Sequence, residues 1–212
     1  MSEFGYITDV EQSYFNNKGI FTPTDIYNLN KQDKWTMLGQ LELINTTNAS
    51  AINSIIWSAD DLAGYDVHFL TYNDVEMFDA STNDYLAMYL SFDGGSSYPY
   101  SSYHRASHLW EGTSHFESKS TNEGKFRLAT HGGDNNNETK NGYVYIYNFL
   151  DSTKFTFLTS HSSCAPNANT NGGEFSGLVN EELLARTHLK FQNAQGTAFD
   201  GNISMYGIRL SS

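Results

Sequence analysis

The sequence predicts an all-β chain: an antiparallel β-sandwich, jelly-roll-like, over 36–212, behind an arm at 1–35 that carries one short helix. Three observations predict it. Phe and Tyr at 14 each and Trp at 3 make 15% of the chain aromatic, and such residues favour strands and bury large areas. From about Thr36 onward, apolar residues recur with period two. Clusters of Gly, Asn, Asp and Ser separate these runs, and the chain has no helices to spare for the crossovers of a parallel sheet.

The arm comes first. Met1 to Gly19 is polar and aperiodic, with aromatics at Phe4, Tyr6, Tyr14 and Phe15. Thr22 then stands as an N-cap, Pro23 at the first helical position and Asp25 three residues after the cap. Ile26 and Leu29 give this helix one apolar contact, and Lys31 and Lys34 suit the negative end of its dipole. A helix this short needs something to pack against. Two readings follow: a strap across its own sandwich, or an arm that docks on a neighbouring subunit through Phe4, Tyr6, Tyr14, Phe15, Ile26 and Leu29.

The strands follow in order. Leu41 and Leu43 flank Glu42, and Val67, Phe69 and Thr71 alternate with His68, Leu70 and Tyr72. Leu86, Met88, Leu90 and Phe92 form one apolar face. Tyr143, Tyr145, Tyr147 and Phe149 share one face of the next run, with Val144 and Ile146 on the other. Leu150 to Thr153 then connect to Phe155 and Phe157 as a hairpin with cross-strand aromatic pairs. One further helical turn is expected around Asn180 to Leu184. Thr187, Leu189 and Phe191 alternate with Arg186, His188 and Lys190 as a half-buried strand. Asp200-Gly201 marks a turn into a last strand, Asn202 to Leu210. The strongest turn clusters are Asp93 to Ser97, Gly132 to Asn137 and Asn167 to Gly173.

Composition narrows function. With 12 Lys and Arg against 24 Asp and Glu, the net charge is −12, which argues against nucleic acid and against anionic membrane surfaces as partners. No apolar run approaches the roughly 20 residues that span a bilayer, so no membrane insertion is expected. The opening Met1 to Gly5 lacks the basic and apolar parts of a signal peptide, which predicts a chain that starts soluble and intracellular, whatever becomes of it later. Cys164 is the single cysteine, so neither an internal disulfide nor a multi-cysteine zinc site is expected.

The sequence carries no chemical signature. The phosphate-loop, dinucleotide and Gly-x-Ser-x-Gly patterns are all missing. Cys164 near His161 reads as an ordinary loop thiol, since a Cys–His nucleophile pair is not usually adjacent in sequence. On strands, His104 and His108 would share a face too far apart to chelate one ion, with His115 on the opposite face unless a bulge intervenes, so no metal site is predicted. Asp134 to Glu138 lacks the EF-hand glycine and glutamate, whose places Thr139 and Tyr145 occupy; calcium held between several loops stays open. No cofactor and no enzyme activity are expected. Tyr98, Tyr100, Tyr103 and Trp110, with small polar neighbours, supply rigid amphipathic area that either stacks on a sugar or protein or lids the core.

The phrase Glu11-Gln12-Ser13-Tyr14-Phe15-Asn16-Asn17-Lys18-Gly19-Ile20-Phe21-Thr22-Pro23 continues through Asp33-Lys34-Trp35 and Gly39 to Ile44, and the chain closes on Ile203-Ser204-Met205-Tyr206-Gly207-Ile208. Together these segments resemble virion structural proteins of marine bacteriophages, among them phages of cyanobacteria. The resemblance implies a tail-associated appendage, fibre-base or decoration protein. Such a protein is assembled as a homo-oligomer in the host cytoplasm, resides in the virion and has other tail or shell proteins as partners. No catalytic or cofactor residues come with it. The alternative is a glycan-binding module for host recognition, with Tyr98, Tyr100, Tyr103 and Trp110 as contacts; a third reading is a polysaccharide hydrolase.

Overall fold

The computed structural model describes residues 41–78, 85–129, 138–167 and 170–210. The arm at 1–35, its helix and its anchors Phe4, Tyr6, Tyr14, Phe15, Ile26 and Leu29 lie outside the described residues, as do Asp134 to Asn137. The described chain is all-β. Its strands are β1 (Leu41–Ile52), β2 (Ser54–Ser58), β3 (Val67–Met77), β4 (Leu86–Ser91), β5 (Tyr103–Glu111) and β6 (Ser114–Glu123), then β7 (Phe126–Ala129), β8 (Lys140–Tyr147), β9 (Thr156–Asn167), β10 (Thr170–Asn180), β11 (His188–Asn193) and β12 (Phe199–Ile208). They form two antiparallel sheets. The larger has eight strands in the order β1-β12-β3-β8-β9-β10-β5-β6; the smaller has four, β2-β11-β4-β7.

One apolar core is shared by both sheets. The larger sheet contributes Leu70 and Tyr72 from β3, Val144 and Ile146 from β8, Leu158 from β9, and Ile203 and Met205 from β12. The smaller contributes Trp57 from β2, Leu86, Met88 and Leu90 from β4, Phe126 and Leu128 from β7, and Leu189 and Phe191 from β11. Ring contacts cross between them, Tyr72 to Phe191 at 5.9 Å and Tyr103 to Phe126 at 4.7 Å. β7 pairs with β4 only from Leu86 to Met88. The Leu90 N–H lies beyond that pairing and donates instead to the Tyr103 hydroxyl at 2.9 Å. Tyr103 is therefore a core residue that ties the sheets together.

Several sequence expectations are corrected. Phe149 leaves the tyrosine face of β8 and enters the core at 1% exposure, because Asn148 takes a left-handed φ of 59° and turns the chain over. Asp200-Gly201 is a bulge within β12 rather than a turn before it: the pairing with β3 shifts there, with Gly201 at φ 143°. A Cβ on Gly201 would sit 2.9 Å from the Val75 backbone. Asn180 to Leu184 forms no helix; Asn180 ends β10 buried, and its side-chain oxygen accepts the Glu182 N–H at 3.3 Å. The Asn167 to Gly173 cluster is mostly strand, since β9 runs through Asn167 and β10 begins at Thr170. The Asp93 to Ser97 turn does form. Asp93 accepts from the Ser97 N–H and hydroxyl and from Ser91, which holds its carboxyl down at about 2.

Candidate functional site

The outer face of the eight-stranded sheet carries rows of side chains set by strand register. One row runs Leu43, Tyr206, Phe69, Tyr145, Thr159, Gly177, Ala106, Lys119 from β1 to β6. On one side lies Tyr143, His161, Phe175, His108, Glu117; on the other lies Tyr147, Phe157, Val179, His104. Alternation explains why these residues share a face, since every second residue of a strand points the same way. β-branched Val144 and Ile146 take the core side of β8, which sends its tyrosines outward.

These rings form a connected surface. Tyr206 meets Phe69 at 6.1 Å, Phe69 meets Tyr145 at 4.6 Å and Tyr143 at 5.8 Å, Tyr143 meets His161 at 5.7 Å, and His161 meets Phe175 at 6.0 Å. Trp110 meets His161 at 5.9 Å by lying across β10 at Gly173. A Cβ at Gly173 would stand 2.2 Å from the indole, so glycine is what lets the ring lie flat. Phe175 is 55% exposed, Phe157 45% and Leu43 56%. Six strands by six residues make the patch roughly 24 Å by 20 Å, about 500 Å², which matches the size of functional apolar patches.

The same row that builds a ridge at Phe69 and Tyr145 ends in a hollow. Over Ala106, Gly177 and Thr159 the side chains are small, and a trough of about 760 Å³ opens between Phe157, Val179, His104 and Lys119. A Cβ on Gly177 would meet nothing within 4 Å.

Beneath this face the sheet is polar. Ser160 and Ser162 on β9, Glu174 and Ser176 on β10, and Arg105 and Ser107 on β5 point inward and are buried. A hydrogen-bonded chain links four of them, Arg105, Ser107, Ser176 and Glu174: Arg105 donates to Glu123 at 3.2 Å, to Ser118 at 2.9 Å and to Ser107 at 3.2 Å. Ser107 and Ser176 are 2.6 Å apart, and Ser176 donates to Glu174 at 2.5 Å. Along β9 and β10, with Leu158 and Leu178 as the apolar exceptions, the usual amphipathic order is reversed, with phenylalanines out and polar groups in.

The four aromatics expected to form one contact surface are split. Tyr103 is 1% exposed in the core, because it occupies an inward position of β5, and it offers nothing to a partner. Trp110 lies on the outer face just described. Tyr98 and Tyr100 lie on the opposite side of the molecule, against Tyr89 of the smaller sheet at 6.5 and 6.1 Å. There Lys190 stands 3.9 Å from the Tyr98 ring centre and 4.8 Å from that of Tyr89. Lys125 lies 5.6 Å from Tyr89 and 5.2 Å from Tyr85.

Strand geometry also places the histidines and the thiol. Gly112, at φ 57°, turns the chain between β5 and β6 and folds His115 back to the face of His108, where the rings stack at 5.8 Å. The single-strand expectation of opposite faces is thus corrected by the hairpin. Among the described residues no three His, Cys, Asp or Glu side chains converge as metal ligands. Cys164 and His161, three apart on β9, point to opposite faces, and burial pushes the thiol up to about 11. The outer residues Phe69, Tyr143, Tyr145, Phe157, His161 and Phe175 were not singled out from sequence as a site; the tyrosine alternation at 143–147 was the signal for them.

Comparison of the chain with family models, with curated proteins and with solved structures returned no match.

Proposed function

We propose that this chain is a structural component of a bacteriophage particle, a tail-associated appendage, fibre-base or decoration protein that assembles as a homo-oligomer. The observation that carries the reading is the reversed polarity of β9 and β10, with Phe157 and Phe175 outward and Ser160, Ser162, Glu174 and Ser176 inward. Exposed rings of this number cost solubility in a lone subunit and are stabilising once covered. The covering surface is a second copy. A two-fold contact is self-complementary when the same patch carries both a projection and a hollow. Here the Phe69 and Tyr145 ridge lies in the same row as the Gly177 trough.

The strand order supports a jelly-roll β-sandwich. With the β5–β6 and β9–β10 hairpins set aside, β1-β12-β3-β8 faces β2-β11-β4-β7, which is the pairing of two four-stranded sheets in a jelly roll. Viral shell and lectin domains share that architecture. The opening and closing segments, which resemble phage virion proteins, favour the virion among these. The net charge of −12 keeps many copies apart in the host cytoplasm before assembly.

Quantitative mass spectrometry of purified particles, followed by antibody-gold labelling, tests the reading. A fixed copy number clustered at one end of the particle supports a tail appendage. Absence from the particle overturns it.

A further inference from the structure

The smaller sheet carries a second surface of different chemistry. Tyr89 stands at the centre of β4 on the side facing away from the core, at 1% exposure, and four groups enclose its ring. Tyr98 and Tyr100 meet it edge-on, at 81° and 89°. Lys125, just before β7, and Lys190, on β11, reach over its face. Both ammonium groups lie within 6 Å of one ring centre, so no more than about 10 Å separates them. Arg127 extends the cluster, 4.2 Å from the Tyr85 ring centre.

The charge pattern is the informative part. The chain has twice as many acidic as basic groups. Yet among the described residues no carboxylate lies within salt-bridge distance of Lys125 or Lys190, whereas Arg127 has Glu123 at 3.6 Å. Lys190 gives up part of its hydration to the tyrosines, and burial lowers its pKa. Cation–ring contacts attract the ammonium groups but supply no counter-charge. Tyr98 forms the closed side of the cluster, its hydroxyl shielded from solvent. Beside it Tyr100 is 69% exposed, its ring resting on Gly124, where a Cβ would come within 3.0 Å. The exposed ring is thus held in place by the Gly124 backbone and by its edge-on contact with Tyr89.

We infer that this cluster binds an acidic sugar: a saccharide ring stacks on Tyr100, and its carboxylate or sulfate lies between Lys125 and Lys190. Tyrosine faces suit the apolar face of a pyranose, and the two ammonium groups supply the counter-charge. Specificity comes from the pairing of ring and charge, because a neutral sugar leaves both lysines unanswered and a bare anion leaves Tyr100 uncovered. This site deepens the host-recognition alternative and does not depend on whether the outer face of the larger sheet self-associates.

Isothermal titration of the full chain with four probes tests it: oligogalacturonate for the carboxylate, sulfated dextran oligosaccharide for the sulfate, unmodified dextran oligosaccharide as the neutral ring and sodium sulfate as the bare anion. Binding of one or both acidic oligosaccharides, with at least tenfold weaker binding of dextran and of sulfate, is expected; which of the two binds names the acid group. Lys190→Gln and Tyr100→Ala should each weaken binding about tenfold while the melting temperature stays within a few degrees. Lys125→Gln should act likewise, but Lys125 also donates to the Ala194 carbonyl at 3.4 Å, so the other two variants decide if it folds poorly. Equal binding of neutral dextran, binding of sulfate alone, unchanged affinity in Lys190→Gln and Tyr100→Ala, or no binding of either acidic oligosaccharide at millimolar concentration overturns the inference. Subunit association is measured separately, so failure here leaves the virion reading standing.

Discussion

Phe175→Ser tests the outer face at its most exposed ring. A phenylalanine offers roughly 200 Å² of side-chain area. At 55% exposure about 110 Å² of it stands in water. Covering that area at about 25 cal/mol per Å² contributes about 2.8 kcal/mol to a contact. A two-fold contact buries two such rings, so the substitution removes about 5.6 kcal/mol and should weaken self-association roughly 10,000-fold. The fold should hardly notice, because the ring packs only edge-on against His161 and sits on the side of β10 away from the core. Sedimentation velocity across a concentration series reads the association constant, and thermal melting reads the fold. Association by the variant as tight as that of the wild type refutes the reasoning. So does a wild-type chain that stays monomeric at the highest concentration reached.

Three other outcomes are expected. Gly173→Ala places a Cβ 2.2 Å from the Trp110 indole and 2.7 Å from the Ser162 carbonyl, so the indole must lift and β9 must shift; a loss of about 1–3 kcal/mol and a red-shifted tryptophan emission are expected, and an unchanged spectrum would count against the packing described. His68 is buried, which lowers its pKa from 6.5 despite its bond to the Leu62 carbonyl at 2.9 Å. The unfolded chain then takes up a proton that the native chain refuses, so the His68 contribution is full above pH 6.5 and falls as pH drops from there toward the native pKa. Urea melts between pH 8 and 5 should show this slope in the wild type and less of it in His68→Leu; equal slopes would exclude His68 as its source. Deletion of residues 1–20 should leave the two sheets folded and abolish incorporation into particles, whereas loss of folding would refute a docking arm.

Period two was legible wherever one face of a strand is more apolar than the other. The alternation of Tyr143, Tyr145 and Tyr147 with Val144 and Ile146 gave both faces of β8 correctly. It gave no sign that Asn148 would turn Phe149 into the core, since a left-handed residue breaks the count without leaving a pattern. Asp200-Gly201 looked like a turn because the same dipeptide suits a hairpin and a bulge, and only pairing with β3 on one side and β1 on the other distinguishes them. The candidate surfaces were less legible. Tyr98, Tyr100, Tyr103 and Trp110 are close in sequence, yet Tyr103 faces the core and Trp110 the far side of the larger sheet. The sequence placed Phe157 in a hairpin without assigning its face and did not single out Phe175. Their outward position follows from which face of β9 and β10 turns toward the smaller sheet, and that is decided by neighbours 50 to 70 residues away such as Arg105 and Ser107.

Radical footprinting of the full chain as a function of concentration tests the assembly claim most directly, because it reads the solvent access of individual rings. The account predicts that Tyr143, Phe157 and Phe175 lose reactivity together as concentration rises, while Tyr100 on the opposite side stays as reactive as in the dilute protein. Outer rings that react equally at every concentration, or protection confined to Tyr100, would contradict it.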